Sequence, residues 1–273
     1  MIFTTTLLAF LLGSCTEKKS TTPEEKIVEQ QTELAAPEIM LTDEVKPVFF
    51  DYTSTGCPGC GSWGAPTFES LSDERGSDIV PMAVHIKYGD PMITEVSNAI
   101  ASNRTGQYFT PQLWVNNTNS TLISGGRING TGSLAKIKSE IENFKSAEKK
   151  INVGVSSVVD GSDFIVRYKT QAINDLVGEY FIGLYVMENG ISAKQSSSPT
   201  DPTIHNHVIR ACQNGAFGTL IASEGLTKDG VSEGHYTFKM DSSWNSENLY
   251  ATIIVWNKES NNYFVVNADN NNL

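Results

Sequence analysis

Cys57-Pro58-Gly59-Cys60 is the part of the chain whose residue types and spacing are best suited to chemistry. Two cysteines separated by two residues at the start of a helix have three common roles: reversible disulfide exchange, half of a zinc site, or a structural disulfide. A zinc site needs about four ligands. Residues 46–149 contain no second cysteine pair and a single histidine, His85. The pattern therefore favours exchange or a structural disulfide, and no metal or other cofactor is predicted.

The position of the pair at the start of a predicted helix assigns a role to each cysteine. Cys57 is expected to be the exposed nucleophile, because the unpaired N–H groups and the dipole of a helix N-terminus stabilise a thiolate. Cys60, one turn further into the helix, would resolve the mixed disulfide. Pro58 suits the first helical turn, where its missing N–H needs no partner. These residues leave open whether the pair cycles or is a static disulfide.

Strands and helices alternate over residues 46–149, as is typical of an α/β unit. The predicted strands are Val48–Tyr52, Ile79–Ile86, Pro111–Val115 and a short one starting at Leu122. Three helices are predicted from apolar positions spaced by three and four residues: Cys60, Gly64, Phe68 and Leu71; Ile93, Val96 and Ile100, with Asp90 as N-cap; and Leu134, Ile137, Ile141 and Phe144. Pro66 should kink the first helix.

The helical period disappears after Lys150, and short β segments separated by turn residues take over. The predicted strands are 151–155, 164–168, 180–187, 207–211, 218–222, 235–240 and a hairpin of 250–256 with 263–266. Strands at this spacing favour an antiparallel sandwich over residues 150–273.

The order of elements around the cysteine pair resembles the thioredoxin fold. Asp51 lies six residues before Cys57, where thioredoxins often keep a buried acid, and Thr110-Pro111 opens the third strand, where that family has a cis-proline. The resemblance implies that Asp51 exchanges a proton with Cys60 and that Pro111 shapes the substrate groove. The chain departs from the family at Gly56, where thioredoxins usually have tryptophan, and in the reversed order of the Pro-Gly dipeptide.

The N-terminal residues predict export and anchoring. The apolar run Ile2–Leu12 is too short to span a bilayer, and the sequence Leu-Gly-Ser-Cys that ends at Cys15 resembles the lipobox of bacterial lipoproteins. That resemblance implies a signal peptide over residues 1–15 and lipidation of Cys15, which would anchor the protein to a membrane. Residues 16–45 are rich in Thr, Glu, Lys, Gln and Pro and are predicted to be a flexible tether.

Charge and the remaining reactive residues limit the partners. Twenty basic and thirty-one acidic residues give a net charge of −11, which argues against nucleic acid. His205 and His207 are predicted on one face of a strand, as half a metal site or, more commonly, as hydrogen-bonded histidines. Cys212 is predicted to be a buried free thiol, with a resolving or intermolecular role as the alternative.

The whole pattern resembles the twenty-eight-kilodalton outer-membrane protein family of Gram-negative bacteria. The similarity is carried by the stretch around Asp51 and Cys57, by Tyr88-Gly89-Asp90-Pro91-Met92 and by the run His205–Arg210. It implies an α/β thioredoxin-like domain (46–149) followed by an all-β immunoglobulin-like sandwich (150–273). It also implies an outer membrane lipoprotein on the periplasmic face or the cell surface. Two functions follow as expectations: a thiol–disulfide oxidoreductase acting on exported proteins, or a surface binding or adhesion protein with a structural disulfide.

Overall fold

The first part of the fold alternates strands and helices around the cysteine loop. The computed structural model describes residues 39–87 and 89–272, so the predicted signal peptide, the lipidation site Cys15 and most of the predicted tether lie outside the described residues. The elements of this part are β1 (Val48–Thr53), a π-helical turn (Cys60–Gly64), α1 (Ala65–Arg75), a 3₁₀ turn (Gly76–Asp78), β2 (Val80–His85), α2 (Glu95–Ser102), β3 (Gln112–Val115), β4 (Thr118–Asn119), β5 (Ile123–Ser124), β6 (Arg127–Ile128) and α3 (Gly130–Lys145).

Strands dominate the second part: the eight predicted strands are present, and four short strands, Leu176–Val177, Ile191–Ala193, Thr203–His205 and Gly225–Leu226, were not predicted. The strands of this part are β7 (Ile151–Asp160), β8 (Asp163–Ala172), β9 (Leu176–Val177), β10 (Glu179–Glu188), β11 (Ile191–Ala193), β12 (Thr203–His205), β13 (Val208–Cys212), β14 (Thr219–Ala222), β15 (Gly225–Leu226), β16 (Val231–Lys239), β17 (Leu249–Glu259) and β18 (Asn262–Asn270), with a 3₁₀ turn at Ser246–Asn248. The prediction of a mixed α/β part followed by a β-rich part is confirmed.

One large sheet runs through both parts of the chain. Its order is β18-β17-β10-β13-β2-β1-β3-β4, with β14 beside β10. The junction is the parallel pair β13–β2, where Val208 lies opposite Ala83 and the Ala83 N–H donates to the carbonyl of His207. Strand β13 therefore covers a β2 edge that would otherwise leave backbone groups unpaired. The strands after residue 150 thus extend the first sheet as well as packing among themselves.

Three apolar clusters pack the sheet. Helices α1 and α3 cover one face through Phe68, Leu71, Ile137 and Ile141, which contact Phe49 and other residues of β1 to β3. A second cluster joins β1 and β2 to β10 and β17 and contains Trp256. In the third, the small sheet β16-β8-β7 packs on β10 and β17. The apolar faces predicted for the helices are confirmed except at two positions: Leu134 is 37% exposed, and Ile93 lies before the start of α2.

The predicted start of the second helix was wrong. Thr94, not Asp90, is the N-cap of α2: its hydroxyl accepts from the Ser97 N–H, and the Ser97 hydroxyl accepts from the Thr94 N–H. This reciprocal capping box satisfies two of the backbone donors that every helix start leaves free. Asp90 instead accepts hydrogen bonds from the N–H groups of Thr55 and Met92, and so holds the loop that leads to the cysteines.

The last residues of the predicted tether lie against β7. Thr42 pairs with Val153 in an isolated bridge, and its N–H donates to the Val153 carbonyl at 2.7 Å. Lys149 binds Asp43 at 2.5 Å. Residues 39–45 therefore pack against the β-rich part. In the part of the chain that the structure describes, no helix is long and apolar enough to cross a membrane.

Candidate functional site

Cys57 and Cys60 are joined by a disulfide at the start of the first helix, with their Cα atoms 5.2 Å apart. The carbonyl of Cys57 accepts from the N–H groups of Cys60 and Gly61, and the Cys57 sulfur lies 3.2 Å from the Cys60 N–H. The pair therefore lies where the sequence places it, among the unpaired donors of a helix N-terminus. A π-helical turn follows it, and Pro66, which cannot donate, lies where this turn passes into α1.

Pro111 packs against the cysteine loop from the start of β3. The Thr110–Pro111 peptide bond is cis, as the resemblance to thioredoxins implies. A Cβ atom added to Gly59 would lie 3.1 Å from Pro111 Cδ, and one added to Gly64 would lie 2.6 Å from Pro111 Cβ. A side chain at Gly64 would therefore overlap the proline ring, and one at Gly59 would press tightly against it. Pro111 is more than fifty residues from the cysteines in the sequence, and the structure brings it against the dipeptide between them.

Asp51 lies beneath this contact, on the central strand β1 between β2 and β3. It is 1% exposed, and a Cβ atom on Gly64 would lie 3.8 Å from its Oδ1. Desolvation raises the pKa of the carboxyl to about 8; a hydrogen bond with Thr53 acts in the opposite direction and the charge of Glu69 in the same one. Oδ1 has no hydrogen-bond partner in the described residues. Asp51 is therefore a buried acid that can take up or release a proton near neutral pH.

A small polar cavity adjoins Asp51. It has a volume of about 20 Å³, enough for one water molecule, and Glu69, His85, His205 and Asn206 contribute to its wall. Burial raises the pKa of Glu69, whose Oε2 accepts from the Asn206 amide at 3.1 Å. Sequence reasoning missed Glu69, because nothing in a surface-like helical pattern indicates that one glutamate points inward.

The prediction that His205 and His207 lie on one face of a strand was wrong, because His205 ends β12 and His207 lies between β12 and β13. The two histidines also have different neighbours. His205 packs edge-on against His85, whose Nδ1 lies 2.8 Å from Asp90 Oδ2, and burial together with the His85 charge lowers the His205 pKa to about 4. His207 lies 2.8 Å through Nδ1 from the Tyr250 hydroxyl. Of the two roles predicted for these histidines, half a metal site or a hydrogen-bonded side chain, the second fits His207. Their separate partners do not present the two rings as a joint ligand pair.

Cys212 lies at the end of β13, in contact with Gln213. The thiol is partly buried, and burial raises its pKa well above that of an ordinary cysteine. A neutral thiol is a weak nucleophile at neutral pH. The structure agrees with the simpler prediction of a free thiol within the β-rich part.

The loop of the hairpin β11–β12, residues 194–202, covers the cysteine pair. Gln195 is 5% exposed, and its amide donates to the carbonyls of Ser54 and Cys57 at 3.2 and 3.1 Å. The Ser196 N–H donates to the Thr55 carbonyl at 2.8 Å. Cys57 is consequently only 5% exposed, which differs from the exposed nucleophile that the sequence predicts. The polar sequence of this loop carries no signal of the contact, which joins residues 138 positions apart.

Replacing Gly64 with alanine is expected to destabilise the protein by about 1–3 kcal/mol, because the new methyl group overpacks against Pro111. Urea unfolding measures the loss. Gly56→Ala is the matched control, since a Cβ atom there meets nothing within 4 Å. Equal stability of the two variants would show that Pro111 does not hold the glycine in close contact.

One solved structure shares this architecture over most of the chain. The structure is similar to HBP35 of Porphyromonas gingivalis, with a TM-score of 0.66 and 16% identity over 85% of this chain and 76% of that chain. At that identity the similarity concerns the fold alone. A domain of the outer membrane lipoprotein Omp28 from Porphyromonas gingivalis also matches, with a TM-score of 0.31 and 18% identity over 45% of this chain and 88% of that one. No curated protein matches.

The family model described as outer membrane protein Omp28 matches residues 111–272. The match begins at Pro111 and leaves out the cysteine pair, so it carries no information about the chemistry of Cys57 and Cys60. It nevertheless spans more than half of the chain and agrees with the resemblance found in the sequence. The protein therefore belongs to the Omp28 family of outer membrane proteins.

Proposed function

We propose that this protein is a lipoprotein, anchored through Cys15, that exchanges disulfides with exported proteins through a thioredoxin-like site. The observation that carries the proposal is the convergence of three elements on the cysteine loop. Cys57 and Cys60 open the helix, Pro111 packs against Gly59 between them, and Asp51 lies buried beside Gly64. A purely structural disulfide would not need the buried Asp51, whose Oδ1 has no partner in the described residues, or the close packing of Pro111 against the loop.

The proposed reaction transfers two electrons from the protein dithiol to a client disulfide. The Cys57 thiolate attacks one client sulfur, a protein–client disulfide forms, and the client's other sulfur leaves as a thiolate. Cys60 then gives its proton to the Asp51 carboxylate and attacks the Cys57 sulfur. The internal disulfide forms, and the client leaves with its second sulfur reduced. The same steps in reverse oxidise a client dithiol, and a partner dithiol or disulfide restores the starting state.

The site residues have separate tasks in this scheme. Donors at the helix start favour the Cys57 thiolate, since the helix dipole stabilises negative charge there. Asp51 accepts and returns one proton inside the protein, and its raised pKa keeps that exchange close to neutral. Pro111 bounds the groove next to Gly59. The Cys212 thiol on β13 is neutral and takes no part in the exchange reaction.

Insulin reduction and refolding of scrambled ribonuclease test the proposal. The wild-type protein should turn over in at least one assay, and Cys57→Ala should reduce turnover to the background. Cys212→Ser is the matched control, because it also removes one thiol and should keep full activity. Wild-type activity equal to that of Cys57→Ala would refute the proposal.

A second candidate function, a surface binding protein with a structural disulfide, is favoured by one observation: Cys57 is 5% exposed. The reduction potential of the Cys57–Cys60 pair separates the two. Exchange proteins have potentials of about −120 to −270 mV, whereas structural disulfides lie below about −300 mV. A value below about −300 mV would favour the binding protein.

A further inference from the structure

We propose that residues 194–202, the loop of the hairpin β11–β12, are a displaceable cover of the cysteine pair, and that an extended segment of a client polypeptide replaces them. This inference rests on the proposed function for the identity of the client, but the cover itself can be tested without it. The site that the client would use consists of the carbonyls of Ser54, Thr55 and Cys57, which now accept hydrogen bonds from the loop.

Residues 195–198 of the loop form a turn, in which the Ser198 N–H donates to the Gln195 carbonyl and Ser197 has a φ of 58°, and one contact of this turn with the site is made by its main chain. The Ser196 N–H donates to the Thr55 carbonyl, a main-chain contact that any residue except proline could make. The Gln195 side chain donates to the carbonyls on either side, at Ser54 and Cys57. The Ser54 and Cys57 carbonyls also accept from N–H groups of the cysteine loop itself, so among the described residues the Thr55 carbonyl is the one that depends on the covering loop or a client for its donor. A client backbone can supply such donors, as in other cases of main-chain recognition.

The attachment of the loop differs along its length. Its base is held by the pairing of β11 with β12, and Ile191 and Ala193 pack on the cluster beneath α1. At its tip, Ser197 and residues 199–202 are exposed, and Gln195 is the one well-buried side chain of the loop. A few hydrogen bonds therefore hold the tip over Cys57 while packing fixes the base. Displacement of the tip costs little compared with unfolding the hairpin.

The loop approaches the helix most closely at Gly61. A Cβ atom there would overlap the carbonyl oxygen of Ser196 and lie 2.9 Å from the Ser198 nitrogen. Gly61 lies in the π-helical turn, where alanine is otherwise acceptable, and the three atoms nearest to the added Cβ all belong to the loop. Gly61→Ala should lift the loop and leave both cysteines in place.

The rate at which iodoacetamide labels Cys57 in the reduced full-length protein measures the cover, with peptide mapping to separate Cys57 from the other thiols. Gly61→Ala is expected to raise this rate at least about tenfold. Gln195→Ala, which removes the side-chain donor without any clash, should raise it about 2- to 10-fold, the range for loss of about one net hydrogen bond. Gly56→Ala, with an added methyl group that meets nothing within 4 Å, should leave the rate unchanged.

Equal labelling rates in the wild type, Gly61→Ala and Gln195→Ala would overturn the proposal that the loop covers Cys57. Gln195→Ala keeps the test valid if Gly61→Ala does not fold, which circular dichroism reports. Insulin turnover in the same variants separates the two proposals. If Gly61→Ala and Gln195→Ala label faster but no protein turns over insulin, the exchange function is refuted and the cover is supported. If the wild type turns over insulin but the variants label at the wild-type rate, the exchange function is supported and the cover is refuted. Faster labelling with faster turnover would support both.

Discussion

Asp51→Asn is expected to make the protein more stable than the wild type at pH 8, and the advantage should shrink steadily as the pH falls towards 4. In the folded protein, desolvation raises the pKa of Asp51 to about 8, whereas an unfolded chain restores a value near 3.8. Between these values the folded state holds one proton more than the unfolded state. Stability therefore falls as the pH rises, with a slope approaching about 1.4 kcal/mol per pH unit.

The full effect above pH 8 is on the order of 6 kcal/mol. Asparagine has nearly the same shape and carries no charge to desolvate, so it removes this dependence. Urea unfolding at a series of pH values between 4 and 9 measures the difference between the two proteins. Glu69 and His205, whose pKa values burial also shifts, line the same cavity and are present in both proteins.

Glu74→Gln is the control for this experiment. It removes one carboxylate from the same part of the protein, but Glu74 is exposed and its pKa is lowered by the hydrogen bond with Lys138. Glu74→Gln should therefore change the free energy of unfolding little. Unlike Asp51→Asn, it should gain no stability over the wild type as the pH rises. Parallel pH curves for the wild type and Asp51→Asn would contradict the raised pKa, and with it the role of Asp51 as a proton acceptor near neutral pH.

Trp256→Ala is expected to destabilise both parts of the chain together, by about 3–5 kcal/mol. Trp256 is 1% exposed on β17 and belongs to the apolar cluster that includes Phe50 of β1. Its Nε1 donates to the Tyr185 hydroxyl at 3.0 Å, and that hydroxyl donates to the Ala216 carbonyl at 2.6 Å. The substitution therefore leaves a cavity within a core that both parts share.

Hydrogen exchange read by mass spectrometry can follow each strand separately. Because β1 and β17 share one sheet and one core, amides of both should lose protection by a similar factor in Trp256→Ala. Trp244→Ala is the matched control, since Trp244 is only partly buried and packs on the other cluster of the β-rich part. Unchanged protection of β1 in Trp256→Ala would show that residues 46–149 fold independently.

Local patterns predicted much of the site because its parts are close in sequence or have a strong local signature. The apolar run of β1 precedes the cysteines, and the pair opens the helix whose apolar face is Phe68 and Leu71, as the spacing predicts. Asp51 is buried on that strand. The N-cap of α2 was misassigned because Asp-Pro and Thr-x-x-Ser both fit a helix start, and only the packed loop shows that Asp90 binds Thr55 instead.

The sequence by itself determined the order of the helices and of the longer strands, the cysteine pair with its buried acid, and membership in the outer-membrane family, but not the short strands such as β11 and β12. Tertiary structure alone decided that β13 joins β2, and that Gln195 reaches over Cys57. The reason is physical. Periodicity reports which face of an element is buried, but a sheet edge and a covering loop bind through backbone groups that nearly every residue has. Such contacts leave no pattern in the chain, and they decide whether this cysteine pair can be reached.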